Sequence, residues 1–139
     1  MLLDILPFGL FREIEPGIIE VTIFEGVEMD RQRIALVVAG LNERYGDGRY
    51  AILSNRVNRY SHTHESMQAL AELTNLTGLA ILVYSSISTV AAGIHDLYQS
   101  NAKIFYSRPA AIEWLRRTTA GLVAEAPGGF LQAEKSAMS

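Results

Sequence analysis

Leu79-Ala80-Ile81-Leu82-Val83-Tyr84 is an unbroken apolar run with Gly78 before it and Ser85-Ser86 after it. It is short and shows no alternation, which reads as a strand covered on both faces, the habit of a parallel sheet flanked by helices. Tyr50 to Leu53 is a second such run, and it reads as central. Between the two, Thr63 to Leu76 places Met67, Leu70, Ala71 and Leu73 at helical spacing. Strand, helix and strand make a βαβ unit, for which a right-handed crossover is expected.

Working outward toward the N-terminus, Ile34, Val37, Val38, Leu41 and Tyr45 form one helical stripe, with Asp30 suited to start the helix and Gly46-Asp47-Gly48 to end it. Before it, Phe8 to Glu15 and Ile18 to Phe24 carry strand patterning on either side of Pro16-Gly17, so an antiparallel hairpin opens the fold. Toward the C-terminus, Ser86 or Ser88 is suited to cap a helix bearing Val90, Ala91, Ile94, Leu97 and Tyr98. Lys103 to Tyr106 is the last strand. Ser107 and Pro109 then open a helix that carries Ile112, Trp114 and Leu115, with Trp114 read as core. The resulting string is ββαβαβαβα: an α/β domain with a mixed five-stranded sheet and about four helices over residues 1–120. Residues 121–139, with Pro127-Gly128-Gly129, read as a flexible tail.

Composition bounds the function. A chain of 139 residues, 49% apolar and 19% charged, fills one core and leaves no room for a second domain. Nine acids stand against seven bases in residues 1–60 and six against five beyond, so no basic stripe marks a nucleic-acid surface. The absence of cysteine excludes disulfides and thiolate metal sites and fits a reducing compartment. Met1 to Leu10 has no basic leader, and Ile34–Ala39 and Leu79–Tyr84 fall short of the roughly 20 residues that span a bilayer. A cytoplasmic protein without a transmembrane segment is expected.

Asn55-Arg56-Val57-Asn58-Arg59-Tyr60-Ser61 is the most polar stretch in mid-chain, and it follows the central strand. Ligands favour the carboxyl ends of strands in open α/β sheets. Arg56 or Arg59 is suited to pair with a carboxylate or phosphate, and Asn55, Asn58 and Ser61 to orient it. The plainer alternative is that the asparagines make turns and the arginines face water. Ser85 to Thr89, with Ser86 foremost, follows the next strand and offers hydroxyls and amides to an anion, or simply caps a helix. His62, His64 and Glu65 carry metal-binding groups at a spacing that does not suit a helical site, and only His95 remains elsewhere, so no metal is expected. There is no phosphate-loop motif and no Gly-x-Ser-x-Gly elbow; no cofactor and no catalytic residue is assigned. A cluster of Arg56, Tyr60, His64 and Glu65 is the one enzyme-like alternative.

The segments Ala51-Ile-Leu-Ser-Asn-Arg-Val-Asn-Arg-Tyr-Ser61, Leu79–Tyr84 and Ile104-Phe105 with Ala110-Ala-Ile-Glu-Trp-Leu115 give the chain a pattern that resembles the SpoIIAA-like proteins. These are small relatives of the STAS (anti-sigma factor antagonist) domains, and the resemblance runs from about Gly9 to Arg117. It implies a non-enzymatic regulatory or interaction module that meets a protein partner or small ligand. It further implies a phosphorylatable hydroxyl at the helix after the third strand. Here that stretch is Tyr60 to Ser66, with Ser61, Thr63 and Ser66 as candidate phosphoacceptors in a setting other than the family's Asp-Ser-Ser/Thr-Gly. The same pattern looks like the lipid-binding fold of the CRAL-TRIO proteins, which implies the alternative of a small hydrophobic-ligand carrier. A chain this apolar is also expected to cover an edge strand or helix face with a second copy, as a homodimer.

Overall fold

The computed structural model describes residues 2–85 and 101–121, with side chains from Leu6 onward. The hairpin forms as β2 (Gly9–Glu15) and β3 (Ile18–Ile23), joined through Gly17 at φ 81°, a left-handed conformation that glycine adopts without a Cβ clash. Strands β5 (Tyr50–Asn55), β7 (Leu76–Leu82) and β8 (Ala102–Phe105) then add in parallel to β3. All five expected strands are therefore present in one mixed sheet.

A sixth strand was not expected. Residues Leu2–Leu6 form β1, antiparallel to β2 at the hairpin edge, and the sheet order is β1-β2-β3-β5-β7-β8. The segment Leu2-Leu3-Asp4-Ile5-Leu6 lacks strict alternation and is short, so neither strand template recognises it. A further two-residue ladder pairs β4 (Glu28–Met29) in parallel with β6 (Ser61–His62). It ties the loop after β3 to the loop after β5.

Three helices are described. Helix α1 (Arg31–Tyr45) starts where Asp30 Oδ1 accepts from the Arg33 amide at 2.9 Å and stops at Gly46, φ 56°. Helix α2 (His64–Ala71) is capped by Thr63, whose Oγ1 accepts from the Ser66 amide. It ends five residues before the expected Leu76, because Leu76 opens β7 and the carbonyl of Asn75 accepts from Tyr50 N. Leu70, Leu73 and Leu76 continue a helical spacing, yet pairing with β5 takes the last of them. Helix α3 (Arg108–Thr119) has Ser107 as its cap and Pro109 in its first turn. The expected helix across Val90 to Tyr98, and the tail beyond Gly121, lie outside the described residues.

Alternation along the buried strands sends side chains to two cores. Tyr50, Ile52, Leu79 and Ile81 meet Ile34, Val37 and Leu41 of α1 and Leu70 of α2. Ala51, Leu53, Ala80 and Leu82 meet Ala111 and Leu115 of α3, with Trp114 half-buried at the rim against Phe105. Leu53, Ile81 and Leu115 are fully enclosed, and each such side chain contributes about 1.5–3 kcal/mol by leaving water. Gly78 lets α3 lie close on the sheet, since a Cβ there would sit 2.8 Å from Thr118 Oγ1.

Candidate functional site

Strands β3, β5, β7 and β8 run in one direction, so the loops that follow them leave the same end of the sheet. The β5 loop is built as a structured ledge. Arg56 N donates to the carbonyl of Leu82, which continues the β5–β7 ladder one step past the strand. Asn58 Nδ2 donates to the carbonyl of Ile23 at 2.9 Å, Arg59 N donates to Glu25 Oε1, and the carbonyl of Arg59 accepts from Gly26 N. Ser61 N and Thr63 N reach the carbonyls of Val27 and Met29. Asn58 therefore anchors the ledge to the end of β3.

Arg56 lies beneath this ledge and is only 5% exposed. Its guanidinium carbon stands 4.2 Å from the centroid of the Tyr60 ring, and Nη2 donates to the Tyr60 carbonyl at 3.2 Å. Nη1 is buried with no hydrogen-bond partner among the described residues. Tyr60 reaches Ser54 through its hydroxyl, at 3.2 Å, and meets the His62 ring edge-on.

Asn55 works in a second network. Its Nδ2 donates to Glu20 Oε2 at 2.8 Å, and its Oδ1 accepts from the Tyr84 hydroxyl at 2.7 Å. Arg108, the first residue of α3, grips both oxygens of Glu20 at 2.9 and 2.7 Å. The Arg108 hydrogen bonds hold the Glu20 carboxyl below its ordinary pKa, burial opposes this, and the Asn55 amide adds to the lowering.

Sequence reading missed Glu20, Tyr84 and Arg108, whose contacts span 35, 29 and 88 positions. One local signal existed. An arginine in the first turn of a helix faces the positive end of the dipole, so it calls for a carboxylate from elsewhere.

Of the three candidate phosphoacceptors, Ser61 is exposed. Thr63 uses its hydroxyl oxygen as the α2 cap, and Ser66 is fully buried, its Oγ donating to the carbonyl of Thr63 with His62 Nδ1 at 2.9 Å. His64 and Glu65 are exposed on the first turn of α2. Among the described residues, no three His, Cys, Asp or Glu side chains are grouped to hold a metal. Ser86 lies outside the described residues. Exposed large apolar side chains mark this same end: Val57, Tyr84 and Tyr106 are 57%, 57% and 70% exposed.

A groove of about 320 Å³ lies elsewhere, between α1 and the hairpin side of the sheet. Leu6, Phe11 and Ile19 line it from the sheet, and Leu36, Val37, Gly40 and Leu41 from α1, with Glu43 and Arg44 at the helix's C-terminal end. Near it, Glu13 accepts from Arg44 and from the Tyr45 hydroxyl, the latter at 2.6 Å. Burial, reinforced by Glu13, pushes the Tyr45 phenol up to about 12.

No helix among the described residues is long and apolar enough to cross a membrane. No family model matches the sequence, and no curated protein matches it. Among solved structures, the chain is similar to an uncharacterized protein of the DUF3478 family from Shewanella loihica PV-4, described as having a SpoIIAA-like fold. The identity is 11% and the TM-score 0.57, with 81% of this chain and 97% of that one covered. This chain therefore has a SpoIIAA-like fold, an α/β domain built on a mixed sheet.

Proposed function

We propose that this chain is a non-enzymatic regulatory or interaction module of the STAS-like type, acting in the cytoplasm, that binds a protein partner or small ligand with the loops after β5 and β7. One observation carries the reading: Val57, Tyr84 and Tyr106, three of the four exposed large apolar side chains among the described residues, cluster at the carboxyl end of the parallel strands, on loops held in place by hydrogen bonds. A pre-ordered, apolar-studded ledge suits recognition because little loop ordering remains to oppose binding. Of the three candidate hydroxyls, exposed Ser61 is the one we assign as phosphoacceptor. The test compares partners recovered with the wild-type protein and with Val57→Asp/Arg59→Glu, both exposed positions. Loss of a stoichiometric partner from the double variant is expected; full retention of every partner refutes the siting.

The groove beside α1 supports a second reading, the small hydrophobic-ligand carrier. Its volume is of the order that ligand pockets require. Gly40 sharpens the point: glycine inside a helix costs about 1 kcal/mol relative to alanine, and apart from its chain neighbours and the adjoining helix backbone no atom lies within 4 Å of where its Cβ would be. Native mass spectrometry of protein purified from its host decides. Co-purified apolar mass that disappears in Gly40→Leu supports the carrier, and a clean wild-type mass removes it.

A further inference from the structure

We propose that Arg56 is the receptor for a small oxyanion, a carboxylate or phosphate carried on a small molecule, bound beneath the Asn55–Ser61 ledge; the inference rests on the siting proposed above and names its ligand class. Arginines Arg33, Arg44, Arg108 and Arg116 each have a carboxylate within 4 Å, and each of their side chains is at least 42% exposed. Arg12, Arg31, Arg49, Arg59 and Arg117 have no such partner among the described residues and are exposed. Arg56 alone among the described arginines is both buried and without a carboxylate. A guanidinium stays charged at any physiological pH, so it cannot escape burial by losing its proton.

What surrounds Arg56 compensates only part of that cost. The Tyr60 ring offers a cation–π face at 4.2 Å and the Tyr60 carbonyl takes one hydrogen from Nη2, which leaves both hydrogens of Nη1 unused. Buried polar groups are nearly always partnered, and an unpaired buried ion is the costliest exception. The donor set defines the missing partner. It is an anion, because no carboxylate among the described residues pairs with this guanidinium, and the planar fork matches two oxygens of a carboxylate or phosphate. It must be small, because Nη1 is enclosed. Ser54 and Tyr60, whose hydroxyls meet at 3.2 Å, add polar groups beside the ring that lies over the guanidinium. Among the described residues that contact is the one side-chain hydrogen bond of the Tyr60 hydroxyl.

The experiment titrates purified full-length protein with inorganic phosphate and, separately, acetate, each against chloride at matched ionic strength. Thermal unfolding and the backbone amide signals of residues 55–61 are the readouts. A saturable rise in melting temperature is expected with at least one anion, about 10 °C at a hundredfold excess over its dissociation constant. The amides of the ledge shift in step. Arg56→Met removes the charge but keeps an apolar stem, so it is expected to stay folded and to lose the response. Arg56→Lys keeps the charge without the fork, and its apparent affinity should fall at least tenfold; this variant carries the test if the methionine variant does not fold. A response to acetate alone assigns a carboxylate, and one to phosphate assigns a phosphoryl group. Absence of a saturable response to both anions, or an equal response in the Arg56 variants, overturns the proposal. Either result is independent of whether Val57→Asp/Arg59→Glu loses a macromolecular partner, so the two readings fail separately.

Discussion

Replacing Glu20 by glutamine tests how the loop end of the sheet is held. The Glu20 side chain is 12% exposed, and it accepts two hydrogen bonds from Arg108 and one from Asn55. A hydrogen bond to a charged group contributes about 1.5–3 kcal/mol where solvent is excluded. Arg108 is 43% exposed, which screens the pair strongly, so about 1–2 kcal/mol in all is the reasonable expectation for Glu20→Gln at neutral pH. That corresponds to a fall in melting temperature of roughly 3–8 °C for a domain of this size.

The pH dependence follows from the sign of the shift. Arg108 holds the folded-state carboxyl below its ordinary value, against the opposing effect of burial. The stabilisation is therefore fully present above the unfolded-state value and is lost as pH falls through the lower folded one. Wild type and Glu20→Gln should differ at pH 7 and converge in acid. Urea denaturation followed across that range gives the difference directly, and taking the difference cancels Glu13 and Glu15, whose carboxyls are lowered by other partners. A deficit of the same size at acid and neutral pH would mean that glutamine disturbs packing rather than removing a charge-assisted bond. No deficit at all would refute the pairing as a stabilising contact. The variant should also loosen the Asn55–Tyr84 hydrogen bond, seen as movement of the Tyr84 signals.

Gly78→Ala should cost about 1–3 kcal/mol through overpacking, because the new methyl would meet Thr118 Oγ1 at 2.8 Å and its Cβ and Cγ2 at 3.1 Å. In denaturant titrations the double variant with Thr118→Ala should be more stable than the sum of the single effects; strict additivity would show that α3 does not press on β7 at this point. Asp30→Ala removes the side-chain cap of α1 and should lower unfolding free energy by about 1 kcal/mol, with a change under a few tenths contradicting the capping bond to Arg33 N.

The parts of the fold legible in sequence were those governed by local rules. Asp30, Thr63 and Ser107 stand where the sequence pattern starts a helix, and each caps one. The apolar runs at Tyr50–Leu53 and from Leu79 onward became β5 and β7 because a strand covered on both faces needs apolar residues without alternation. Failures came where two local readings coincide or neither applies. Leu76 fits the helix spacing of Leu70 and Leu73 equally well, and only the pairing of β7 with β5 decides it. Strand β1 and the β4–β6 ladder exist through their partners, since two to five residues carry too little pattern to announce a strand alone.

The candidate site divides along the same line. Polarity and position marked the Asn55–Ser61 stretch, but polarity cannot say which arginine is buried, and Arg56 and Arg59 read alike in sequence. The fold separates them by register: Arg56 continues the β5–β7 ladder through Leu82 and turns inward, while Arg59 sits on the outer ledge. Three exposed arginines are instead met by carboxylates. Glu13 ties β2 to the end of α1 through Arg44, Glu15 ties β2 to α3 through Arg116, and Glu20 ties β3 to the start of α3 through Arg108. Each of these pairs fastens a helix to the hairpin, and each leaves its arginine in contact with water. The loop between β5 and α2 has the reverse arrangement, a cation taken out of water with a ring and one carbonyl for company. A domain that pairs the arginines fastening its helices, yet leaves its one buried guanidinium open, has placed the unmet charge where its parallel strands deliver their loops.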